Sequence, residues 1–334
     1  MIRILATVIA TISAFSSVSC SRQPREQSKP ETAPDSAVLE IPIGDQTAVF
    51  RKVSPQAYKI DYPDFYLLET EVTNRMYREY LRATGQRKDD TDVLKIVENK
   101  SFVETLPDGS TVVGYRSSTH ETPYSINDKT MIWRDGEYPD GQDEYPVALL
   151  MLDNAQSFCD WLSKTHPDRG LFRLPTWNEW MIAAFGSSRG YPWGNNWDRT
   201  IVHTSYGYSW DDRPTRTEPV RSRPQGRTPE GLYGMIGNVS EFQIAGDPTN
   251  AAYYVVGARS MGGGFDDGIP SSMLDDKPEE LKPRKDYWGY YHDSEGREDH
   301  MGFRVLLDVK KDRSLIGRAP VFPEQDNQWR TKTE

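Results

Sequence analysis

Cysteine is nearly absent from this chain of 334 residues: Cys20 and Cys159 are its two thiols, and none follows position 159. The C-terminal half therefore has none of the soft thiolates that copper(I) takes as ligands. Histidine is scarce too, with five in the whole chain, of which His120 alone falls in the first 165 residues. Runs of basic residues are missing, and the formal net charge is −10 at pH 7. That balance excludes a nucleic-acid partner, because neutralising phosphates needs clustered Lys and Arg. After residue 20 no hydrophobic stretch approaches the roughly 20 residues that a membrane-spanning helix needs.

Hydrophobic residues make up 36% of the chain, enough to bury a core, and the 27% of charged residues keeps it soluble. Nine Trp, 18 Tyr, 25 Gly and 23 Pro point to a loop-rich fold with aromatic rings packed between irregular segments. Residues 1–20 are the one membrane-directed segment. Arg3 supplies a short charged start, and Ile4 to Phe15 is apolar apart from Thr7, Thr11 and Ser13. A core of about a dozen residues suits a signal peptide. It ends in Ser17-Val18-Ser19-Cys20, which looks like a bacterial lipoprotein signal with Cys20 as the lipid attachment site. Ser17 departs from the branched apolar residue usual there. Ordinary cleavage after Ser19 is the alternative, and it would leave an exposed Cys20.

Either route exports the chain. The lipidated form is expected in the cell envelope, anchored to the outer membrane and facing the periplasm or the cell surface. Residues 21–39 are rich in Pro, Gln, Glu, Ser and Lys and read as a flexible tether. The folded domain is expected over 40–310, with an insert at 86–145 and a polar tail at 311–334.

Three helices have local start and stop signals. The first follows Thr73 as N-cap, with Met76, Tyr77, Tyr80 and Leu81 on one face and Gly85 as the stop. The second is expected to start at Asp153, with Gln156 completing a capping box and Ala155, Phe158, Cys159 and Leu162 at helical spacing. In the third, Thr176 and Glu179 form a capping box, and Trp177, Trp180, Met181 and Ala184 share a face. Short strand-like runs stand at Thr111 to Tyr115 and Gly302 to Leu307. Few helices, short strands and long connections make the class α+β.

Taken in order, several segments resemble the formylglycine-generating enzyme, or sulfatase-modifying-factor, family. They are Glu71-Val72-Thr73-Asn74 with Tyr77, Tyr145-Pro146-Val147, Phe158-Cys159-Asp160-Trp161, and Arg173-Leu174-Pro175-Thr176 through Glu179-Trp180. Tyr191-Pro192-Trp193-Gly194, Gly231-Leu232-Tyr233-Gly234-Met235, Gly237-Asn238-Val239-Ser240-Glu241-Phe242, Gly262-Gly263-Gly264-Phe265 and Gly302-Phe303-Arg304 continue the series. The resemblance implies a modified C-type-lectin-like fold with low regular secondary structure.

It also implies a site. The oxidases of that family hold copper(I) with two cysteines between the Gly-Gly-Gly segment and Gly302-Phe303-Arg304. This chain reads Pro283 to Asp293 there without a thiol, so copper is not expected. Cys159, on an apolar helix face, reads as a small core residue. The family's Trp-lined motif is reduced here to Ser240 and Phe242. By resemblance, a structural calcium would take the carbonyls of Gly237 and Val239, the carboxylate of Glu241 and a side-chain oxygen from the position that is now Gly234. A second family cation site falls near His203 and Asp211 or Asp212.

Two functional readings follow. One is a non-catalytic binding or scaffold protein with an envelope protein, or a glycan or peptide ligand, as partner. The run Tyr287-Trp288-Gly289-Tyr290-Tyr291 could serve it as a contact platform. The other is a cysteine-independent oxidoreductase in which Glu241, Tyr287, His292 and His300 transfer protons or hold a metal such as iron.

Overall fold

The computed structural model describes residues 38–105, 111–115, 124–125, 129–204, 214, 216–244, 258–261, 289–292 and 297–309. The readings that concern Cys20, residues 21–37 of the tether, Asp211, Asp212, Gly262 to Phe265, Tyr287 and the tail lie outside those residues, whereas Val38 and Leu39, read as the end of the tether, pair with Arg51 and Phe50 and so belong to the folded domain.

A five-stranded antiparallel sheet forms the frame. It opens with a hairpin of β1 (Val38–Ile43) and β2 (Gln46–Val53), in which Ile43 stands opposite Gln46. Gly44 and Asp45 make its two-residue turn, and Gly44 at φ 60° supplies the left-handed backbone that such turns need. β3 (Phe65–Leu68), β13 (Leu306–Asp308) and β7 (Leu171–Arg173) complete the order β1-β2-β3-β13-β7.

Successive side chains of a strand face opposite ways, and here each face has its own core. Leu68 and Leu307 pack with Tyr77 and Tyr80 of α1 (Asn74–Thr84) and with Phe158 of α3 (Leu152–Thr165). Leu67 and Leu306 pack on the other side with Trp180, Met181 and Phe185 of α4 (Trp177–Phe185).

The helix termini follow local chemistry. Met76 N–H donates to Thr73 Oγ1 at 3.2 Å, and Gly85 at φ 70° closes α1. In α4, Glu179 N–H donates to Thr176 Oγ1 at 3.3 Å and Thr176 N–H donates to Glu179 Oε2 at 2.8 Å, a reciprocal capping box. The single apolar face expected of α4 is exceeded: Trp180 through Phe185 are all buried, because the helix lies against the sheet and under the loops that follow it. α3 begins at Leu152, not Asp153. Its N-terminal bond is Met151 N–H to Asn154 Oδ1, 2.9 Å, so Asn154 takes the part expected of Gln156.

A second sheet has the order β10-β9-β8-β12, built from β8 (Ser240–Gln243), β9 (Ala258–Met261), β10 (Gly289–His292) and β12 (Met301–Gly302). The run from Gly302 to Leu307 is therefore two strands. β12 lies beside β8, β13 lies beside β3, and Phe303-Arg304-Val305 passes from one sheet to the other. Phe303 O accepts from Val72 N–H at 2.9 Å and Val305 O from Leu68 N–H at 2.8 Å, which fixes that crossing. Arg304 is thus carried between the two sheets.

The insert contains α2 (Thr91–Lys100), an antiparallel pair of β4 (Ser101–Thr105) and β5 (Thr111–Tyr115), and β6 (Tyr124–Ser125). β6 pairs in parallel with β11 (Arg297–Glu298). The helix was not expected; the strand at 111–115 was.

Candidate functional site

Three elements bring charge to one dry place. Glu71 follows β3, Glu241 stands in β8, and Arg304 lies on the crossing between sheets; all three are fully buried. A buried ion must be paired and hydrogen-bonded, since desolvation otherwise disfavours it strongly. Arg304 meets that demand with Glu241: Nε donates to Oε1 at 3.0 Å and to Oε2 at 3.2 Å, and Nη2 donates to Oε1 at 2.7 Å. Arg304 Nη1 also donates to Leu68 O at 3.0 Å, and Nη2 to Tyr233 O at 2.7 Å. From the helix side, Trp180 Nε1–H donates to Glu241 Oε2 at 2.8 Å. Two donations thus reach each Glu241 oxygen, and a carboxylate has about four lone-pair directions.

Glu71 is the odd charge. Its Oε1 accepts from Asn238 Nδ2 at 3.0 Å, whereas Oε2 has no hydrogen-bond partner and lies 4.0 Å from Arg304 Nη2. Burial raises the Glu71 carboxyl most, against the pull of Arg304 and with a push from Glu241, to about 8. At neutral pH the group is a neutral acid. One cation, one carboxylate and one protonated acid balance the cluster.

Gly234 shapes the same place. It sits at φ 61°, and a Cβ there would collide with the Glu71 carboxylate. Glu71 therefore fills the space into which a side chain at 234 would project. Asn238, at φ 65°, accepts Glu218 N–H on Oδ1 at 2.9 Å and so ties this turn to the wall of a neighbouring cleft.

That shallow cleft is lined by His203, Glu218, Arg223, Tyr233, Gly234 and Asn238 among others. Its polar groups are spent on one another. Arg223 Nε and Nη2 donate to Glu218 at 2.8 and 3.0 Å, and His203 places Nδ1 3.2 Å from Glu218 and Nε2 2.8 Å from Arg216 O. Burial pulls the His203 imidazole below its ordinary value, with Glu218 opposing.

The other site residues named from the sequence are dispersed. Gly237 and Val239 flank Asn238 in the turn that enters β8. Ser240 and Phe242 are buried, and Phe242 packs into the first core. His300 is half-buried, with Nδ1 3.8 Å from Asp299 Oδ1. The register of the second sheet separates it from His292. His292 pairs with Ala258, one residue before Arg259, which faces Gln243; His300 immediately precedes Met301, which faces Ser240. The two histidine backbones stand on opposite edges of that sheet, three strand spacings or roughly 14 Å apart, and about five residues out of step along it. Cys159 is buried on α3, and burial drives its thiol far above the ordinary range.

Glu71, Arg304, Trp180 and Asn238 were not singled out for the site from the sequence. All four belong to the motif segments given above, which is the available signal; their meeting is a matter of tertiary contact.

A family model described as sulfatase-modifying factor enzyme 1-like domain matches residues 24–309. The chain is similar to a formylglycine-generating enzyme of Streptomyces coelicolor, 31% identical over 198 residues, which is 53% of this chain and 56% of that protein. It is also similar to inactive C-alpha-formylglycine-generating enzyme 2 of Bos taurus, 34% identical over 106 residues, which is 30% of this chain and 32% of that protein. The chain thus matches about half or less of the length of these relatives. Among solved structures, CarF is 19% identical with a TM-score of 0.42, covering 74% of this chain and 87% of CarF. PvdO from Pseudomonas aeruginosa is 16% identical with a TM-score of 0.45, covering 82% of this chain and 92% of PvdO.

Proposed function

We propose that this protein, which belongs to the sulfatase-modifying factor enzyme 1-like domain family, uses that family's modified C-type-lectin-like α+β fold as a non-catalytic binding or scaffold domain of the cell envelope. The observation that carries this reading is the thiol inventory. No cysteine follows position 159, and the Cys159 thiol is buried and held protonated on a core helix. Thiol chemistry starts from a thiolate within reach of substrate, and Cys159 is neither. A similar protein named as inactive supports the same direction.

Two further features support it. The separation of His292 from His300 disfavours one ion held by both, because each imidazole nitrogen would have to lie about 2 Å from the metal. The buried cluster suits no hard dication either. Calcium takes six to eight oxygens, many of them ionised. Here Gly234 brings no side chain, its place is filled by Glu71, and Glu241 is engaged by Arg304 and Trp180. The residues present do not fit the calcium that the family resemblance implies, and Arg304 supplies the positive charge instead.

Export and a lipid on Cys20 would place the domain at the outer membrane, with an envelope protein, a peptide or a glycan as its partner. Elemental analysis of the purified exported protein tests the non-catalytic reading, compared with the double variant His292→Ala, His300→Ala. The expected result is no stoichiometric iron or copper in either. About one equivalent of iron or copper, lost in the double variant, overturns the reading in favour of a metal-dependent oxidoreductase.

A further inference from the structure

The insert is tied down at its base by buried charge. Asp90 is fully buried; its Oδ1 accepts from Lys88 Nζ at 2.5 Å and its Oδ2 from Trp133 N–H at 2.9 Å. Lys88 Nζ also donates to Leu149 O at 3.0 Å, and Trp133 Nε1–H to Asn74 Oδ1 at 3.1 Å on α1. Val93, Ile132 and Leu149 close a small core of their own around this base. These bonds hold the stem of the insert, one of them to α1 and one to the segment before α3.

A second attachment comes from far along the chain. Arg297 Nη2 donates to Asp92 Oδ2 in the first turn of α2, and Arg297 Nη1 lies 3.9 Å from Asp90 Oδ1. Its backbone meanwhile pairs with Tyr124 in the parallel match of β11 with β6. Arg297 therefore grips the insert twice, by its guanidinium and by its main chain. Three residues on, His300 O accepts from Ser240 N–H at 2.7 Å, Gly302 stands opposite Glu241, and Arg304 forks onto Glu241. Residues 297–304 run unbroken from the insert to the buried ion pair.

We propose that Arg297 is a latch that holds the insert against the strand leading to Arg304, so that α2 and the β8–β12 pairing open as one unit. Proteins open in contiguous cooperative units, and Arg297 links two of them here, reaching the exposed carboxylate of Asp92 and lying beside the buried one of Asp90. Such a latch lets the insert and the edge of the second sheet open together while the five-stranded sheet stays closed.

Hydrogen exchange on the full exported chain tests this. In Arg297→Ala, the amides of α2 and the Ser240 amide should exchange at least about threefold faster, together, while those of α3 keep their wild-type rates. Asp92→Ala should give the same pattern, and the double variant should add less than the two single effects, as contacting partners do. Should Arg297→Ala fail to fold, Asp92→Asn removes the bond more gently and should show the same paired rise. Faster exchange confined to α2 with Ser240 unchanged, no change at either place, or fully additive single effects would each overturn the latch.

Discussion

Arg304 and Glu241, 63 positions apart in the chain, form a fully buried ion pair between two sheets, with three of its donations at 2.7 to 3.2 Å. The pair joins the crossing segment to β8 and leaves Glu71, 4.0 Å away, without a cation of its own. Breaking one side of such a pair strands the other charge in the dry interior. Arg304→Ala or Glu241→Ala should lower unfolding stability by about 3–5 kcal/mol in denaturant titration. Replacing both by apolar residues of similar volume, Arg304→Met with Glu241→Leu, should recover much of the loss. A single variant within about 0.5 kcal/mol of wild type would mean the pair is not intact in solution.

Glu71 should make stability depend on pH in the direction opposite to a carboxylate that an ion pair holds low. Its carboxyl rises from the usual 4.5 to about 8 on folding, mainly through burial beside Glu241 with Arg304 partly offsetting. A group raised in this way binds its proton more tightly when folded. Its contribution is full below 4.5 and is lost as pH climbs through about 8. Glu71→Gln keeps a neutral group of the same size and should flatten that decline between pH 5 and about 8, read from melting temperature across the range. An unchanged slope in Glu71→Gln would place the titration elsewhere.

The collision between a side chain at 234 and the Glu71 carboxylate gives a paired test. Gly234→Asn should be destabilising on its own, since the new Cβ meets Glu71. Adding Glu71→Ala vacates that space and should restore part of the stability. In the wild type, calcium and EDTA should leave the melting temperature within about 1 °C of each other, whereas a bound ion at 100 times its Kd would add about 2.7 kcal/mol. A clear calcium-dependent rise in wild type would contradict the charge balance drawn for this cluster.

Cys20→Ala addresses the anchor. The lipidated form should partition with membranes, and the variant should move to the soluble fraction, because one acyl-bearing N-terminus is the sole attachment proposed. Equal partitioning of both forms would sink the lipidation.

What the sequence showed and hid follows the range of the interactions. α1 and α4 were legible because Thr73 with Gly85, and Thr176 with Glu179, act within four or five residues of the backbone they cap. The hairpin of β1 and β2 has its local signal in Gly44-Asp45, a two-residue turn with Gly44 at φ 60°. α3 starts one residue before Asp153 because its N-cap is Met151, a residue type that gives no capping signal, with Asn154 three residues on accepting from the Met151 N–H. The buried cluster was out of reach for a different reason. Glu71 meets Asn238 across 167 positions and Arg304 meets Glu241 across 63, so no local pattern reports either contact. Motif segments marked those residues as notable without saying that they converge.

One assay addresses most directly the proposal that this family fold works here without thiol chemistry. The purified chain is loaded with copper(I) and incubated with oxygen and a cysteine-containing sulfatase-type peptide, and aldehyde formation on the peptide is followed by mass spectrometry. No conversion above the copper-only background is predicted, with Cys159→Ala behaving as wild type. Conversion to the aldehyde that depends on this chain would contradict the account.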